Sequence, residues 1–246
     1  MKRFLVRPLV LPWLLLLTPL QAAGEVFDGL VQPVREVLLS SPVHSFIVEQ
    51  TVGEGDEVTE GQMLARLYDR PEVLEMQRTE AALEKREFEN RGAQRLFAER
   101  LISEDEALAR RIELDLTRLQ HEIAREAVTR RTIKSPLSGV VVERHHEVGE
   151  MVTVGEPLLL VVDLSSVFVQ IFVTVGEAER LPLGQRMEVR FPELSGDPVM
   201  AGEVVFIDPR VDPASGLKRL RILVPNEERL AKPGLRARVR IVEEEA

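Results

Sequence analysis

One segment of the chain reads Ser41-Pro-Val-His-Ser-Phe-Ile-Val-Glu-Gln-Thr-Val-Gly-Glu-Gly-Asp-Glu-Val-Thr-Glu-Gly-Gln-Met-Leu64, and a second, 94 residues later, reads Ser135-Pro-Leu-Ser-Gly-Val-Val-Val-Glu-Arg-His-His-Glu-Val-Gly-Glu-Met-Val-Thr-Val-Gly-Glu-Pro-Leu158. Extended to Asp69 and Asp163, the two segments align without a gap and share ten identities in 29 positions. Ordinary residue usage would give about two identities by chance. The chain therefore contains an internal repeat, and a repeat constrains the architecture of the whole fold.

Each copy of the repeat predicts short strands that are separated by glycine turns. Residues 46–48 and 140–142 are β-branched or aromatic, which is typical of strands. Two four-stranded halves, each too small to bury an apolar face alone, would pack together as a sandwich. Structural positions in this sandwich are assigned to five glycines: Gly55, Gly61, Gly139, Gly149 and Gly155.

The segment between the two copies has a helical composition. Residues 71–131 hold 26 charged residues out of 61, with a single glycine and a proline only at the opening position. Ser103 followed by Glu106 is a capping box, which starts a second helix. That helix carries apolar residues at helical spacing, namely Leu108, Ile112, Leu116, Leu119, Ile123 and Ala127. The segment is therefore predicted to be an antiparallel helical hairpin, a two-helix coiled coil with arms of ~40 Å at 1.5 Å per residue.

After Asp163 the pattern changes to strands and turns. Turn signals at 183–184 and 232–234 separate strands expected at 167–173, 185–191, 202–207, 220–224 and 237–242, which predicts a small antiparallel β-barrel. The fold class is thus mainly β with a helical hairpin. The expected divisions are a signal peptide (1–23), a lead-in strand that joins the barrel (24–36), two sandwich halves (37–70 and 132–164), the hairpin (71–131) and the barrel (165–246).

The first 23 residues have the composition of a secretory signal peptide. A basic start is followed by an apolar run at 9–20 and by small residues, with cleavage expected after Ala22 or Ala23. The alternative is an uncleaved membrane anchor, but the run is shorter than the ~20 residues of a spanning helix and contains two prolines. Trp13, the only tryptophan, lies in this segment, so the mature protein is expected to contain none.

Composition argues against several classes of function. The net charge of −9 argues against a nucleic-acid partner, because phosphate binding depends on Lys and Arg. The absence of cysteine excludes thiol catalysis and Cys-ligated metal sites. His145 and His146 would point to opposite sides of a strand, which disfavours a shared metal. With no nucleophile–base pair in the pattern, we expect a protein that is not an enzyme and binds no cofactor.

The order of these segments resembles the membrane fusion proteins of the HlyD-like family, the periplasmic adaptor subunits of bacterial efflux and secretion pumps. In that family a split lipoyl-like domain, or barrel-sandwich hybrid, is interrupted by a helical hairpin and followed by a β-barrel. The resemblance covers residues 25–244 and is carried by the stretches 52–64, 133–140, 206–212, 224–226 and 230–235. The first copy has His44 and Ser45 where the family usually has glycine, and the chain ends at Ala246 without an evident membrane-proximal domain.

The resemblance implies an adaptor that couples an inner-membrane transporter to an outer-membrane channel. Such an adaptor would be exported to the periplasm, associate with the inner membrane through its partners, and form a homo-oligomeric ring of three to six copies. Family hairpin tips carry an Arg, a Leu and a Ser that meet the channel. The corresponding residues are Leu96 and Ser103, with Arg91 or Arg95 beside Gly92 at the expected Arg position, and Glu113 in place of a family Asp.

Two other interpretations stay open. The same fold could serve a stand-alone periplasmic metal- or ligand-binding protein, although the chain has no histidine- or methionine-rich tail. A lipoyl-like repeat could also be a carrier domain, but cytosolic carriers have no signal peptide, and the nearest lysine, Lys134, lies in a predicted strand. At Ser103 the simpler interpretation is a helix cap. The transported substrate and the transporter class, resistance-nodulation-division (RND), ATP-driven or other, stay open.

Overall fold

The computed structural model describes residues 25–242. The predicted signal peptide and Trp13 lie outside the described residues, so that prediction is untested. The strands are β1 (Val26–Ser40), β2 (Ser45–Gln50), β3 (Glu57–Val58), β4 (Met63–Leu67), β5 (Thr132–Lys134), β6 (Gly139–Arg144), β7 (Met151–Val152), β8 (Pro157–Val173), β9 (Arg186–Arg190), β10 (Val199–Ile207), β11 (Lys218–Pro225) and β12 (Arg236–Ile241). The helices are α1 (Arg70–Ala98), α2 (Glu104–Thr129) and the short α3 (Val175–Glu179).

The two repeat copies form a sandwich with approximate two-fold symmetry. β2 of the first copy pairs with β7 of the second, and β3 of the first pairs with β6 of the second. Equivalent backbone hydrogen bonds also run in both directions between the two copies. The Gly61 N–H donates to the Ser135 carbonyl at 2.8 Å, and the Gly155 N–H donates to the Ser41 carbonyl at 2.8 Å. Each copy thus completes the sheet of the other, which explains why the repeat needs both halves.

Four of the five assigned glycines sit in left-handed turns. Gly55, Gly61, Gly149 and Gly155 have φ between 80° and 96°, a region that costs little only for glycine. Gly139 differs, because glycine is needed there to leave room for the neighbouring strand. A Cβ at this position would lie 2.3 Å from the Val162 carbonyl oxygen, where β6 begins to pair with β8. The repeat glycines therefore fix two turns in each copy, and Gly139 permits a close approach of β6 to β8.

The barrel is closed by six strands in the order β1, β12, β9, β10, β11 and β8, with β8 pairing back to β1. β1 and β8 are long enough to belong to both the barrel and the sandwich. One apolar core fills the barrel around Phe191, Ile171 and Leu220, and a second fills the sandwich around Leu64 and Leu159. A continuous two-stranded ribbon therefore connects two separately packed cores.

The last identity of the repeat, Asp69 and Asp163, has a different role in each copy. Asp69 is the residue before α1, where the chain leaves the sandwich for the hairpin. Asp163 lies inside β8 and accepts hydrogen bonds from the Ser165 hydroxyl (2.7 Å) and the Arg35 guanidinium (3.1 Å). Burial raises the pKa of Asp163, but the bonds from Ser165 and Arg35 outweigh burial and hold it below its ordinary value. The repeat ends where the first copy turns into a helix and the second continues into the barrel.

Candidate docking site at the hairpin tip

The turn between α1 and α2 is built without glycine. Arg100 adopts a left-handed conformation with φ of 61° and donates its N–H to the Phe97 carbonyl at 2.8 Å. The Leu101 N–H donates to the Leu96 carbonyl at 2.8 Å. Together these two bonds form a Schellman motif, in which the residue after the left-handed position often packs against the helix three residues before the cap. The motif fixes the end of α1 and directs the chain towards α2.

Ser103 begins α2 as its N-cap. Its hydroxyl accepts a hydrogen bond from the Glu106 N–H at 3.2 Å, which is one of the two bonds of the predicted capping box. Three acidic residues follow in the first turn of α2, where the helix dipole favours negative charge. The cap accounts for the position of Ser103, and its hydroxyl lies on the exposed surface of the tip.

The tip presents apolar side chains to solvent. Leu96 is 42% exposed, Phe97 43% and Leu101 66%, and Ile102 is half-buried beside them. A cluster of this kind at the end of an arm, far from either β core, is typical of a surface that contacts a partner. We call these four residues the tip cluster.

The two candidate arginines near this cluster make only weak contacts within the hairpin. Arg91 Nη1 lies 3.8 Å from Glu87, and Arg95 Nε donates to the Arg91 carbonyl at 3.4 Å. Both side chains are exposed. Gly92, which stands at the expected Arg position, is half-buried in α1 and has open space where a Cβ would lie. Both arginines can therefore turn towards a partner without breaking a buried contact.

Glu113 lies away from the tip, in the body of the hairpin. It is ten residues beyond Ser103, about 15 Å along the helix at 1.5 Å per residue. There it accepts from Arg86 Nη1 at 3.0 Å and Arg110 Nη1 at 3.3 Å, so it holds α1 and α2 together. Leu96 and Arg95 thus lie in the last turn of α1 and Ser103 at the start of α2, whereas Arg91 lies about one turn further from the tip along α1 and Glu113 in the body of the hairpin.

The contact between α1 and α2 combines polar and apolar side chains, since its buried residues include Leu114 and Ala124 as well as Thr79. Thr79 Oγ1 lies 3.2 Å from His121 Nδ1, and Thr117, Asn90 and Ala93 are among the buried residues. The apolar residues that predicted α2 are not in this seam. Leu108, Ile112, Leu116, Leu119 and Ile123, which we call the outer stripe, are between 50% and 71% exposed. The spacing predicted the helix, but the apolar side faces away from α1.

At its base the hairpin is clamped to the sandwich by Arg131. Its guanidinium donates to the Ser45 hydroxyl at 2.9 Å and to the Tyr68 carbonyl at 2.6 Å, and it pairs with Glu72 of α1. Ser45 is the position at which the second copy has Gly139. The departure from glycine therefore supplies a hydroxyl that accepts from the clamp. Sequence reasoning missed this role because Ser45 and Arg131 are 86 residues apart in the chain.

The other candidate residues lie apart from the tip. His146 contacts Glu150 at 2.9 Å and Glu156 at 3.4 Å, whereas His145 contacts Glu143 at 3.4 Å. Lys134 is exposed in β5, paired with Met63 of β4. Over residues 25–242, no group of three or more His, Asp or Glu could hold a metal ion. In the same residues, none of the helices is long and apolar enough to cross a membrane.

The split sandwich, hairpin and barrel define the fold of a membrane fusion protein. A sequence profile described as "RND MFP, barrel-sandwich hybrid domain" matches residues 35–164, and one described as "CusB-like, beta-barrel domain" matches 166–245. The first match spans more than half of the chain, and the chain belongs to the family of RND membrane fusion proteins.

Curated relatives carry several different names. The chain is similar to the nodulation protein NolF of Rhizobium meliloti, with 28% identity over 87% of this chain and 62% of that protein. It is also similar to the cobalt-zinc-cadmium resistance protein CzcB of Cupriavidus metallidurans, with 24% identity over 57% of this chain and 26% of that protein. The chain therefore spans less than two thirds of the length of either relative.

Among solved structures, a MacA–MexA chimeric protein that contains the Pseudomonas aeruginosa MexA α-hairpin domain shares the fold. Its TM-score is 0.77 at 20% identity, with 89% of this chain and 78% of that chain covered. The predicted fold class, mainly β with a helical hairpin, is confirmed.

Proposed function

We propose that this protein is a periplasmic adaptor that couples an inner-membrane transporter to an outer-membrane channel. The observation that carries the proposal is the tip cluster, an exposed apolar surface at the end of a long arm. α1 alone has 29 residues, ~44 Å at 1.5 Å per residue, so the tip stands far from the barrel. An arm of that length with an apolar end suits contact with one partner protein at the tip while another partner lies near the barrel.

Each candidate residue at the tip has a role in this proposal. Leu96 would be the apolar anchor in a groove between helix ends of the channel. Arg91 or Arg95 would pair with carbonyl groups or acids of the channel, because both guanidinium groups are exposed and only weakly engaged. Ser103 would add a hydrogen bond while it caps α2. Glu113 would act within the arm by keeping the two helices in register.

The adaptor would assemble into a ring of three to six copies around the transport path. Head-to-tail contacts between identical subunits either close into a ring or continue as a filament. The transporter would perform the energy-consuming step, and the adaptor would seal and connect, with no catalytic residue of its own. Placement in the HlyD-like branch and export by residues 1–23 belong to this proposal.

Replacement of residues 72–130 by a short glycine-rich loop should abolish transport and leave the rest of the protein folded. The two ends of the hairpin are adjacent, since the Leu67 N–H donates to the Arg131 carbonyl at 2.8 Å, so a short loop can join them. Neither apolar core contains a residue of the hairpin. The measurements are export, circular dichroism of the purified protein, and the resistance or secretion phenotype in cells that lack the wild-type gene.

Restored transport by this shortened protein would contradict a docking role for the hairpin. Loss of the β-sheet signal would show that the hairpin is required for folding, in which case the arm is structural. A chain that keeps the hairpin but carries the same loop inserted after Asp212, in the exposed turn between β10 and β11, serves as the control for loop insertion.

A further inference from the structure

The hairpin is attached to the sandwich at two neighbouring points of the chain. The chain leaves from the end of β4 and returns into β5, and the Leu67 N–H donates to the Arg131 carbonyl at 2.8 Å between these two points. Neither apolar core contains a residue of α1 or α2. Two adjacent crossings define an axis about which the arm could turn. A third contact, away from that axis, would fix the direction of the arm.

The Arg131 side chain supplies such a contact. Its guanidinium binds the Ser45 hydroxyl on β2, the Tyr68 carbonyl after β4 and the Glu72 carboxylate in the first turn of α1. We call these four groups the base clamp. The Arg131 and Glu72 side chains are only 15% and 22% exposed, and hydrogen bonds to charged groups are stronger than neutral ones. Within residues 25–242, no other side chain between 71 and 131 hydrogen-bonds to the sandwich.

Comparison of the two repeat copies shows that the base clamp breaks their symmetry. In the second copy Gly139 lies against the Val162 carbonyl, and a Cβ would be 2.3 Å from its oxygen. The equivalent pair in the first copy, 94 residues earlier, is Ser45 and Tyr68. There the serine side chain fits, its hydroxyl lies 3.1 Å from the Tyr68 carbonyl oxygen, and Arg131 binds both groups. The first copy is therefore more open at the place where the hairpin is attached, and the guanidinium binds at that opening.

We propose that Arg131 is a positioning residue that fixes the direction of the hairpin with respect to the sandwich. The arm multiplies any movement at its base, because α1 has 29 residues, ~44 Å at 1.5 Å per residue. A turn of ~10° at the base would move the tip by ~8 Å, most of the width of a helix. This inference rests on the proposed function for the partner that the tip cluster meets, whereas the effect of the base clamp on the arm is a property of this chain alone.

The direction of the arm can be measured as the distance between two spin labels by pulsed electron paramagnetic resonance. The chain contains no cysteine, so labels attach only at Arg111→Cys, exposed on α2, and Val154→Cys, exposed in the turn between β7 and β8. Labelled protein is diluted with an excess of unlabelled protein, so that distances within one copy dominate. A second label pair within the hairpin, Glu80→Cys/Arg111→Cys, reports whether the arm itself stays intact.

The test variant is Arg131→Leu/Glu72→Leu. It removes both charges of the pair, so neither is left without its partner, and the protein should stay folded. Residue 111 lies ~30 Å from the base, so a swing of ~10° to either side would move it by ~5 Å each way. The distance distribution between the labels at 111 and 154 should therefore widen about twofold, while the distribution within the hairpin is unchanged. Transport should fall in cells that lack the wild-type copy.

Two matched variants should keep the narrow distribution of the native clamp. Arg78→Leu/Glu75→Leu removes an exposed ion pair of 2.6 Å within α1, so it makes the same change in composition away from the sandwich. Glu72→Gln keeps an oxygen that accepts from the Arg131 guanidinium. A further variant, Ser45→Gly, removes only the hydroxyl and should widen the distribution by less than the loss of Arg131.

The outcomes separate this inference from the proposed function. A widened distribution in Arg131→Leu/Glu72→Leu, with unchanged circular dichroism and reduced transport, supports it. A distribution as narrow as that of the native clamp overturns it, and so does widening with undiminished transport. If that variant fails to fold, a Ser45→Gly protein that is folded and has a narrow distribution overturns it, and a widened one supports it. Absence of a crosslink from position 96 to a channel would contradict the adaptor function and leave the role of the base clamp intact.

Discussion

Replacement of Leu96 by aspartate is expected to abolish transport while export, folding and self-association stay normal. In the proposed complex the side chain is an apolar anchor, and a carboxylate there would be desolvated without a partner. Loss of a central anchor costs about 2 kcal/mol or more, roughly a thirtyfold loss of affinity for the channel. Leu96 is 42% exposed at the end of α1, so the isolated protein tolerates the change. The measurement is transport in cells that lack the wild-type copy.

The control for added charge is Gln94→Asp, an exposed position two residues earlier on α1 that lies outside the tip cluster. It should transport normally. Normal transport by Leu96→Asp would show that the tip is not the contact with the channel. If Leu96→Asp fails to fold, Leu96 belongs to the packing of the hairpin itself, and the simpler interpretation of the tip as a helix end with a cap holds.

The variant Gly139→Ala should be strongly destabilised. Its Cβ would lie 2.3 Å from the Val162 carbonyl oxygen and 2.8 Å from the carbonyl carbon, and both atoms belong to the backbone of β8. The clash cannot be relieved by rotating a side chain, so β6 and β8 must separate. Overpacking of this kind costs about 1–3 kcal/mol, and more where the backbone has to move. Chemical denaturation followed by circular dichroism measures the change in the free energy of unfolding.

The matched variant is Gly92→Ala, where a new Cβ meets open space in the C-terminal part of α1. Alanine is favoured over glycine in a helix by about 1 kcal/mol, so this variant should be as stable as the wild type or more stable. A Gly139→Ala protein with unchanged stability would contradict the close approach of β6 and β8. A destabilised Gly92→Ala protein would contradict the packing described for α1.

The repeat predicted the sandwich because its turn glycines depend only on the local backbone and occur at equivalent positions in both copies. Gly55 and Gly149 each need a left-handed turn, and this need is visible in the sequence as a glycine at the same place in both copies. The two helices were predictable for a similar reason, since the capping serine at 103 and the spacing of apolar residues depend only on near neighbours. Features set by near neighbours leave a pattern in one sequence.

Features that join distant parts of the chain left no such pattern. The barrel closes through β1 and β8, and the continuation of both strands into the sandwich depends on pairing over more than 100 residues. The base clamp joins Ser45 to Arg131, 86 residues away. A serine in place of the expected glycine signalled a difference at this position, but only the folded chain shows that its hydroxyl accepts from Arg131.

The orientation of the hairpin helices is the most informative difference between sequence and structure. The apolar spacing of α2 identified a helix and gave no information about what the apolar side contacts. In the structure the side of α2 that contacts α1 carries the polar residues His121 and Glu113 beside the buried Leu114, and the outer stripe stays exposed. Arg86 also holds the pKa of Glu89 below its ordinary value, so charged contacts link successive turns of the arm. The contacts between the helices leave the outer stripe available for a partner.

The most direct measurement for the adaptor function is photo-crosslinking from position 96 in living cells. A photo-reactive amino acid in place of Leu96 should form a covalent adduct with an outer-membrane protein, and mass spectrometry would identify that protein and the linked segment. The same amino acid at position 94 should give little or none of this adduct. An adduct with helix ends of an outer-membrane channel is the result that the account predicts. The account would be contradicted if cells that transport normally gave adducts only with other copies of this chain, or gave no adduct at all.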